Sequence, residues 1–380
     1  MTNELPPAAM RRLAAWCTAV EVFRDRASSE REALQTPLLA ATGLSPAGLD
    51  AGLEAVLGGV REPAARRVFL AARDRRLPPE PVLVVLAGNL PALVVQPLLP
   101  IVALGRPAIL KPASSEPVFT PAFVEVLARH DPSLGELLSV AAWRGGDEVV
   151  EAEVLSRVGT VLAYGNEEAT TSLARRAPGR TVVYGPKTSV GIVTADAEDL
   201  AAVAAGLARD VALFDQRGCL SVSTVFVEQV VAAPLAVALA RALDELAVRW
   251  PLGRLEPATR AAIHSLRSTA DLAGWFRPEL PVTAGTVVVV PAGQPFGPGP
   301  GGRTVCVQPV ASVGAALGGL EPWRGKLQGA ALAGGRAWAL GPALEALGLS
   351  RLAAPGELQA VDDTWFNGGV SPLDVLADGA

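Results

Sequence analysis

Short apolar runs without polar alternation recur from about Pro81 onward, each followed by a stretch with helical spacing. Val82 to Ala87 precedes an interrupted helix through Leu104. Ala108 to Lys111 precedes a helix from Thr120 to Arg129, and Leu138 to Ala142 precedes Asp147 to Arg157. Thr160 to Tyr164 precedes a helix beginning near Glu167. Strands that are apolar on both faces and separated by helices predict a parallel sheet covered on both sides. A second series opens near Thr188. It runs through strand Val190 to Val193, helix Ala197 to Leu213, a polar loop and strand Val222 to Val227. Helical segments to Ser268 follow, then strands Thr286 to Val290, Thr304 to Val310 and Gly329 to Ala333. The pattern predicts an α/β protein of two doubly wound domains. Residues 1–75 form a helical, arginine-rich segment, 76–187 the first α/β domain, 188–355 the second, and 356–380 a tail.

Two stretches need separate treatment. Pro81 to Leu104 carries no charge and is long enough to span a bilayer, but Gly88, Asn89, Pro91, Pro97 and Pro100 interrupt it. We therefore expect a buried strand and a broken helix, with no integral membrane span. The run Gly297-Pro298-Gly299-Pro300-Gly301-Gly302 fits dinucleotide-fingerprint spacing, but a strand rather than a helix follows it, so it reads as a loop.

Composition narrows the function classes. A chain of 380 residues, 50% hydrophobic, can bury a large core. The net charge of -5 offers no cationic surface for nucleic acid. Three scattered cysteines form no disulfide framework, and the polar N-terminus lacks the order of a secretory signal. The expected location is a reducing cytoplasm. Cysteine and histidine spacing predicts no metal site, and no serine elbow or phosphate-loop motif occurs.

The candidate chemistry lies in loops at strand ends. Cys219 sits in Phe214-Asp215-Gln216-Arg217-Gly218-Cys219-Leu220-Ser221. It reads either as a nucleophile, favoured by a neighbouring cation such as Arg217, or as a small buried residue between helix and strand. Asn89 follows the first strand at the carboxyl edge, where open α/β sheets place ligands, and its amide can donate to an oxyanion. Lys111 ends the next strand. Gly165 and Asn166 precede a helix whose first amides can face a phosphate. Lys187 lies in Tyr184-Gly185-Pro186-Lys187, and two of the chain's three lysines fall in these motifs. Taken singly, a turn asparagine and a Lys-Pro strand exit also fit purely structural roles.

In this order, the motifs resemble the aldehyde dehydrogenase superfamily, and within it the acyl-CoA reductase family that includes the fatty acid reductase of bacterial luminescence. The resemblance runs from about Val82 to Gly369. It rests on Gly88-Asn89-Leu90-Pro91, Leu110-Lys111-Pro112, Trp143-Arg144-Gly145-Gly146-Asp147 and Ala163-Tyr164-Gly165-Asn166-Glu167-Glu168. Asp215-Gln216-Arg217-Gly218-Cys219-Leu220-Ser221 and Gly356-Glu357-Leu358-Gln359 complete it. It implies that residues 76–187 bind the dinucleotide and that residues 188–355 carry the nucleophile, Cys219. Asn89 and the cysteine's own N–H would hold the oxyanion. The cofactor site would draw on Lys111, Pro112, Ser114, Gly165 and Asn166. A homo-oligomer is the family expectation, and an acyl-CoA or acyl-carrier thioester the expected substrate.

Three departures qualify the resemblance. Hydrolytic relatives place a water-activating glutamate four residues before the motif lysine, where this chain has Val183. Valine takes no proton, which favours a thiol over water as acyl partner. NAD-selective relatives often carry a glutamate where this chain has Ser114, and a neutral hydroxyl tolerates a 2′-phosphate, so NADPH is expected, with NADH as the alternative. The glutamate of the Glu-x-Phe-Gly-Pro motif is missing near Gln308-Pro309. A hydrolytic aldehyde dehydrogenase and a non-catalytic acyl- or nucleotide-binding scaffold are the rival readings.

Overall fold

The computed structural model describes residues 4–362 and 365–377. Two compact units divide the chain: Met1–Thr42, Gly52–Pro186 and Asp362–Ala380 form the first, Gly43–Ala51 and Lys187–Val361 the second.

The first unit is built on five parallel strands: β1 (Val82–Val85), β2 (Ala108–Lys111), β3 (Leu138–Val140), β4 (Thr160–Tyr164) and β5 (Arg180–Tyr184). Their order is β3-β2-β1-β4-β5. Succession therefore reverses beside β1, so the loops after β1 and β4 flank the switch point at the carboxyl edge. The Val-Leu-Val-Val sequence of β1 is buried nearly throughout, as a central strand covered on both faces requires. Leu86 and Ala87 leave the strand, and the helix expected after it is confined to Val95–Leu104, ending on the left-handed Gly105.

The N-terminal helices pack into this unit. Trp16 and Phe23, on the helix Pro7–Arg24, are fully buried against Phe119 and Phe123, with ring centroids 5.2–5.6 Å apart. Each such aromatic contributes about 2–3 kcal/mol of burial. The tail returns to the same unit. Arg106, wholly buried, donates to the carbonyl of Leu376 and to Thr160 Oγ1, and Arg75 pairs with Asp374 at 2.8 Å. The tail expected over 356–380 includes positions 363, 364 and 378–380, which lie outside the described residues.

Six parallel strands form the second unit's sheet: β6 (Thr188–Val193), β7 (Val222–Glu228), β8 (Thr286–Val289), β9 (Thr304–Val310), β10 (Leu327–Ala333) and β11 (Arg351–Ala353). Their order is β11-β10-β6-β7-β9-β8. β7 and β10 are buried at every position. The helix Leu200–Ala212 starts on Asp199, whose carboxylate accepts from the amides of Ala201 and Ala202. A 3-10 turn, Leu213–Gln216, then leads into the loop that carries Cys219 and enters β7. Residues 291–303, which include the glycine-rich run, form neither strand nor helix.

Among the described residues, no helix is long and apolar enough to cross a membrane.

Candidate active site

In the first unit the expected cofactor residues gather at one sheet edge. Lys111 closes β2 in register with Val85 of β1, which in turn pairs with Ala163 of β4. The Leu86 amide donates to the Lys111 carbonyl at 2.9 Å, tying the exits of β1 and β2 together. Gly88 packs closely against the next turn: an added Cβ would lie 1.9 Å from Ser115 Oγ, which would have to rotate away, and 3.1 Å from the Ala113 Cβ. Gly88-Asn89 is thereby held against the turn containing Ser114.

Lys111 is only 7% exposed, and its Nζ lies 5.3 Å from the centre of the Trp143 ring. Burial lowers its pKa, while the charge of Glu151 works in the opposite direction. Glu151, which the sequence did not single out, organises this corner. It accepts from Trp143 Nε1 and the Gly146 amide and pairs with Arg176 at 2.5 Å. A Cβ added at Gly145 or Gly146 would meet nothing within 4 Å, so the loop after β3 lies beside open space.

Asn166 has a task of its own. Its side chain caps the helix Glu167–Arg176 by accepting from the Ala169 amide at 2.8 Å, and Glu167 and Glu168 occupy the first turn. The side chain and carboxylates at this helix end already serve its dipole, which leaves the backbone at Gly165 as the part that can face a ligand. Glu116, the carboxylate nearest Ser114 in sequence, turns inward. It is buried and accepts from the amides of Val118 and Phe119 at the start of the next helix, while Ser114 is exposed. Tyr164 and Tyr184 stack at 4.4 Å across the ends of β4 and β5, and Val183 beside them is exposed.

In the second unit, the sequence around Cys219 is explained by what holds it. Phe214, Asp215 and Gln216 all take left-handed backbone conformations, with φ of 56°, 51° and 66°. Each costs about 1–2 kcal/mol, so the surroundings must impose them. Asp215 is 2% exposed and pairs at 2.7 Å with Arg303, which is 1% exposed, and its second oxygen accepts from the Gly253 amide. Arg303 also donates to the Trp250 carbonyl at 2.7 Å. The Gln216 amide nitrogen donates to the carbonyls of Val222 and Thr304, and its oxygen accepts from the Thr304 amide, all within 2.8 Å. The motif's acid and amide are therefore anchors for the loop.

Cys219 itself is half-buried. Its carbonyl accepts from Ser189 Oγ at 2.8 Å, joining it to the start of β6. Burial pushes the thiol up to about 11, opposed by the Lys187 ammonium and by the backbone amides of Cys219 and Leu220. The cation acting on the sulfur is Lys187. Arg217, expected in that role, donates to the Arg254 carbonyl at 3.2 Å.

The structure thus gathers Asn89, Lys111, Pro112, Ser114, Gly165 and Asn166 in the first unit and Cys219 with Lys187 in the second. Sequence reasoning missed Glu151 and Arg303. The available signals were an acid eight residues past a tryptophan and an arginine beside the glycine-rich run.

A protein-family model described as acyl-CoA reductase (LuxC) matches residues 45–378. The chain is 27% identical to the long-chain acyl-protein thioester reductase of Aliivibrio fischeri over 60% of its own length and 48% of that protein's. It is 28% identical to long-chain acyl-protein thioester reductase 2 of Photobacterium leiognathi over 37% of its own length and 30% of that protein's. The chain therefore spans about half the length of these relatives, or less. Among solved structures, an oxidoreductase from Marinobacter aquaeolei superposes with a TM-score of 0.77 at 14% identity, covering 99% of this chain and 86% of that one. A Mycobacterium tuberculosis aldehyde dehydrogenase complexed with NAD+ gives 0.71 at 18% identity, covering 92% and 78%. An NADP-dependent glyceraldehyde-3-phosphate dehydrogenase from Bacillus halodurans complexed with NADP gives 0.70 at 15%, covering 93% and 79%. At these identities the likeness establishes the fold, which is that of the aldehyde dehydrogenases.

Proposed function

The chain belongs to the acyl-CoA reductase (LuxC) family, and from that premise we propose that it reduces an acyl thioester, bound to coenzyme A or a carrier, to the aldehyde through an acyl group carried on Cys219. The observation that carries this reading is the Cys219 loop. Three left-handed residues are held by a buried ion pair and a three-bond glutamine clamp, and they deliver one half-buried sulfur beside an ammonium. Such strain, imposed by the surroundings, is characteristic of functional positions.

The first unit fits a nicotinamide dinucleotide. Its switch point lies between β1 and β4, its edge carries a buried lysine on a tryptophan face, and the glycines after β3 border open space. Lys111 would hold the adenosine ribose, with Pro112, Ser114 and the backbone at Gly165 and Asn166 completing the site. Glu116, the carboxylate nearest Ser114 in sequence, is occupied with the amides of Val118 and Phe119, and the hydroxyl of Ser114 tolerates a 2′-phosphate, which supports NADPH over NADH.

The protein's own residues then divide the work. The Cys219 sulfur gives up its proton and attacks the thioester carbonyl, the S–C bond forms, the carrier C–S bond breaks, and the carrier leaves as a thiolate that takes up that proton. The Cys219 amide and the Asn89 side chain are the oxyanion donors this reading assigns. A nicotinamide dinucleotide held by Lys111 and its neighbours would supply the hydride for the acyl carbon, and Cys219 would be released as the aldehyde departs. Val183, at the position where hydrolytic relatives carry a glutamate, holds no proton and activates no water, which favours a thiol as the acyl acceptor.

A panel of acyl-CoA lengths with NADH and NADPH tests this, following cofactor absorbance and trapping the product. Aldehyde with NADPH preferred is the expected result. Free acid formed from aldehyde and oxidised cofactor without coenzyme A would instead identify a hydrolytic enzyme.

A further inference from the structure

We propose that Lys187 is the positioning and proton-holding partner of Cys219, taking the sulfur's proton as it attacks and passing that proton to the departing carrier thiolate. This deepens the reading of Cys219 as the nucleophile and rests on it.

The geometry follows from two neighbouring strands that enter the second sheet from the same end. β6 and β7 are parallel, with Ser189 in register with Val222. Lys187 stands one residue before β6 and Cys219 three before β7, so the two side chains share the sheet's amino edge. Side-chain bonds fix this entry. Ser189 Oγ donates to the Cys219 carbonyl at 2.8 Å, and Thr188 Oγ1 meets Ser223 Oγ at 2.9 Å. The Thr188 amide also donates to the Lys326 carbonyl at 3.0 Å.

The other charged groups near the loop are committed elsewhere. Asp215 is paired with Arg303, and Arg217 donates to the Arg254 carbonyl. Among the described residues, no carboxylate pairs with Lys187. Its charge acts on the sulfur, and the sulfur's on it. Burial lowers the Lys187 pKa, which suits a lysine that must give and take a proton. With the thiol held at about 11 even beside this charge, attack needs a group that takes its proton as the bond forms.

The step balances without a further reactant. The step runs from the form in which Lys187 has given up its proton to solvent: the Sγ proton passes to Nζ, the sulfur forms its bond to the thioester carbon, and the carrier C–S bond breaks. The Nζ ammonium then protonates the carrier thiolate. Lys187 thereby supplies the proton traffic for thiol exchange that Val183 cannot.

The test is the pH profile of Cys219 alkylation by iodoacetamide, read by peptide mass in wild type, Lys187→Met and Lys187→Arg. Lys187→Met is expected to move the profile to higher pH, and alkylation at neutral pH then slows about tenfold for each pH unit the profile moves. Lys187→Arg restores the profile but not acyl-CoA reduction, because guanidinium does not release a proton. A Lys187→Met profile that superimposes on wild type overturns the pairing, and full turnover by Lys187→Arg overturns the proton-holding role. Should Lys187→Met fail to fold, Lys187→Gln provides the neutral variant. The alkylation profile is read without substrate, so it stands or falls independently of whether Cys219→Ala abolishes reduction.

Discussion

Arg303 and Asp215 meet at 2.7 Å with both side chains almost wholly withdrawn from solvent. They stand 88 residues apart in sequence and bring the glycine-rich loop to the turn that precedes Cys219. Removing one partner of such a pair leaves a buried charge uncompensated. Arg303→Met is therefore expected to cost about 3–5 kcal/mol, measured as a drop in the urea midpoint at unchanged slope. A loss below about 1 kcal/mol would mean that the pair does not hold the loop.

Gln216 makes three bonds of 2.7–2.8 Å from one amide. Gln216→Ala leaves the Thr304 amide and two carbonyls without this partner and should cost about 2–3 kcal/mol at roughly 1 kcal/mol per bond. The loop should also loosen, so kcat falls more than KM rises. Steady-state kinetics with an acyl-CoA checks the split, and an unchanged kcat would place the clamp outside the chemistry.

Asp210 lies at the end of the helix that feeds the Cys219 loop. It is 1% exposed and pushed up to about 7 by burial, opposed by bonds that include the Gly356 amide at 2.7 Å. An acid with a raised folded pKa keeps its proton in the native state while the unfolded chain loses its own. It therefore drains stability as pH rises from about 4 to about 7, by about 4 kcal/mol at full extent. Asp210→Asn removes that loss, so its stability gain over wild type should grow across this window and level off above it. Urea melts at pH 5 and pH 8 check the sign, and a pH-independent difference would contradict it.

A Cβ at Gly88 would displace the Ser115 hydroxyl and press on the Ala113 and Ser115 Cβ atoms at 3.1–3.2 Å. Gly88→Ala should push the Ser114–Ser115 turn outward and weaken NADPH binding, as read by fluorescence titration. Ser115→Gly in the same chain should restore much of the affinity, because the offending oxygen and its carbon are then gone. Additive losses would show that the two positions do not meet.

The central strands were legible because burial on both faces writes itself as an unbroken apolar run: Ala108 to Lys111, Thr160 to Tyr164 and Thr304 to Val310 end where the pattern ends. β5 and β11 were not. Both are edge strands, and Arg-Thr-Val-Val-Tyr and Arg-Leu-Ala carry the charge and half-burial that an edge position allows. Cys219 stood out in sequence through its loop composition and motif order. Its true electrostatic partner did not, because Lys187 reaches it through strand pairing rather than through adjacency. Arg303 was hidden for the same reason, and Asn166 was legible as a residue before a helix but not as that helix's cap.

The central claim is a covalent acyl group on one sulfur, and intact-protein and peptide mass spectrometry after mixing with acyl-CoA, before any reduced cofactor is added, tests it most directly. The account predicts one acyl mass on the Cys219 peptide, lost as aldehyde when NADPH is supplied, and neither mass nor cofactor oxidation in Cys219→Ala. An acyl group on another residue, or wild-type cofactor oxidation by Cys219→Ala, would contradict it.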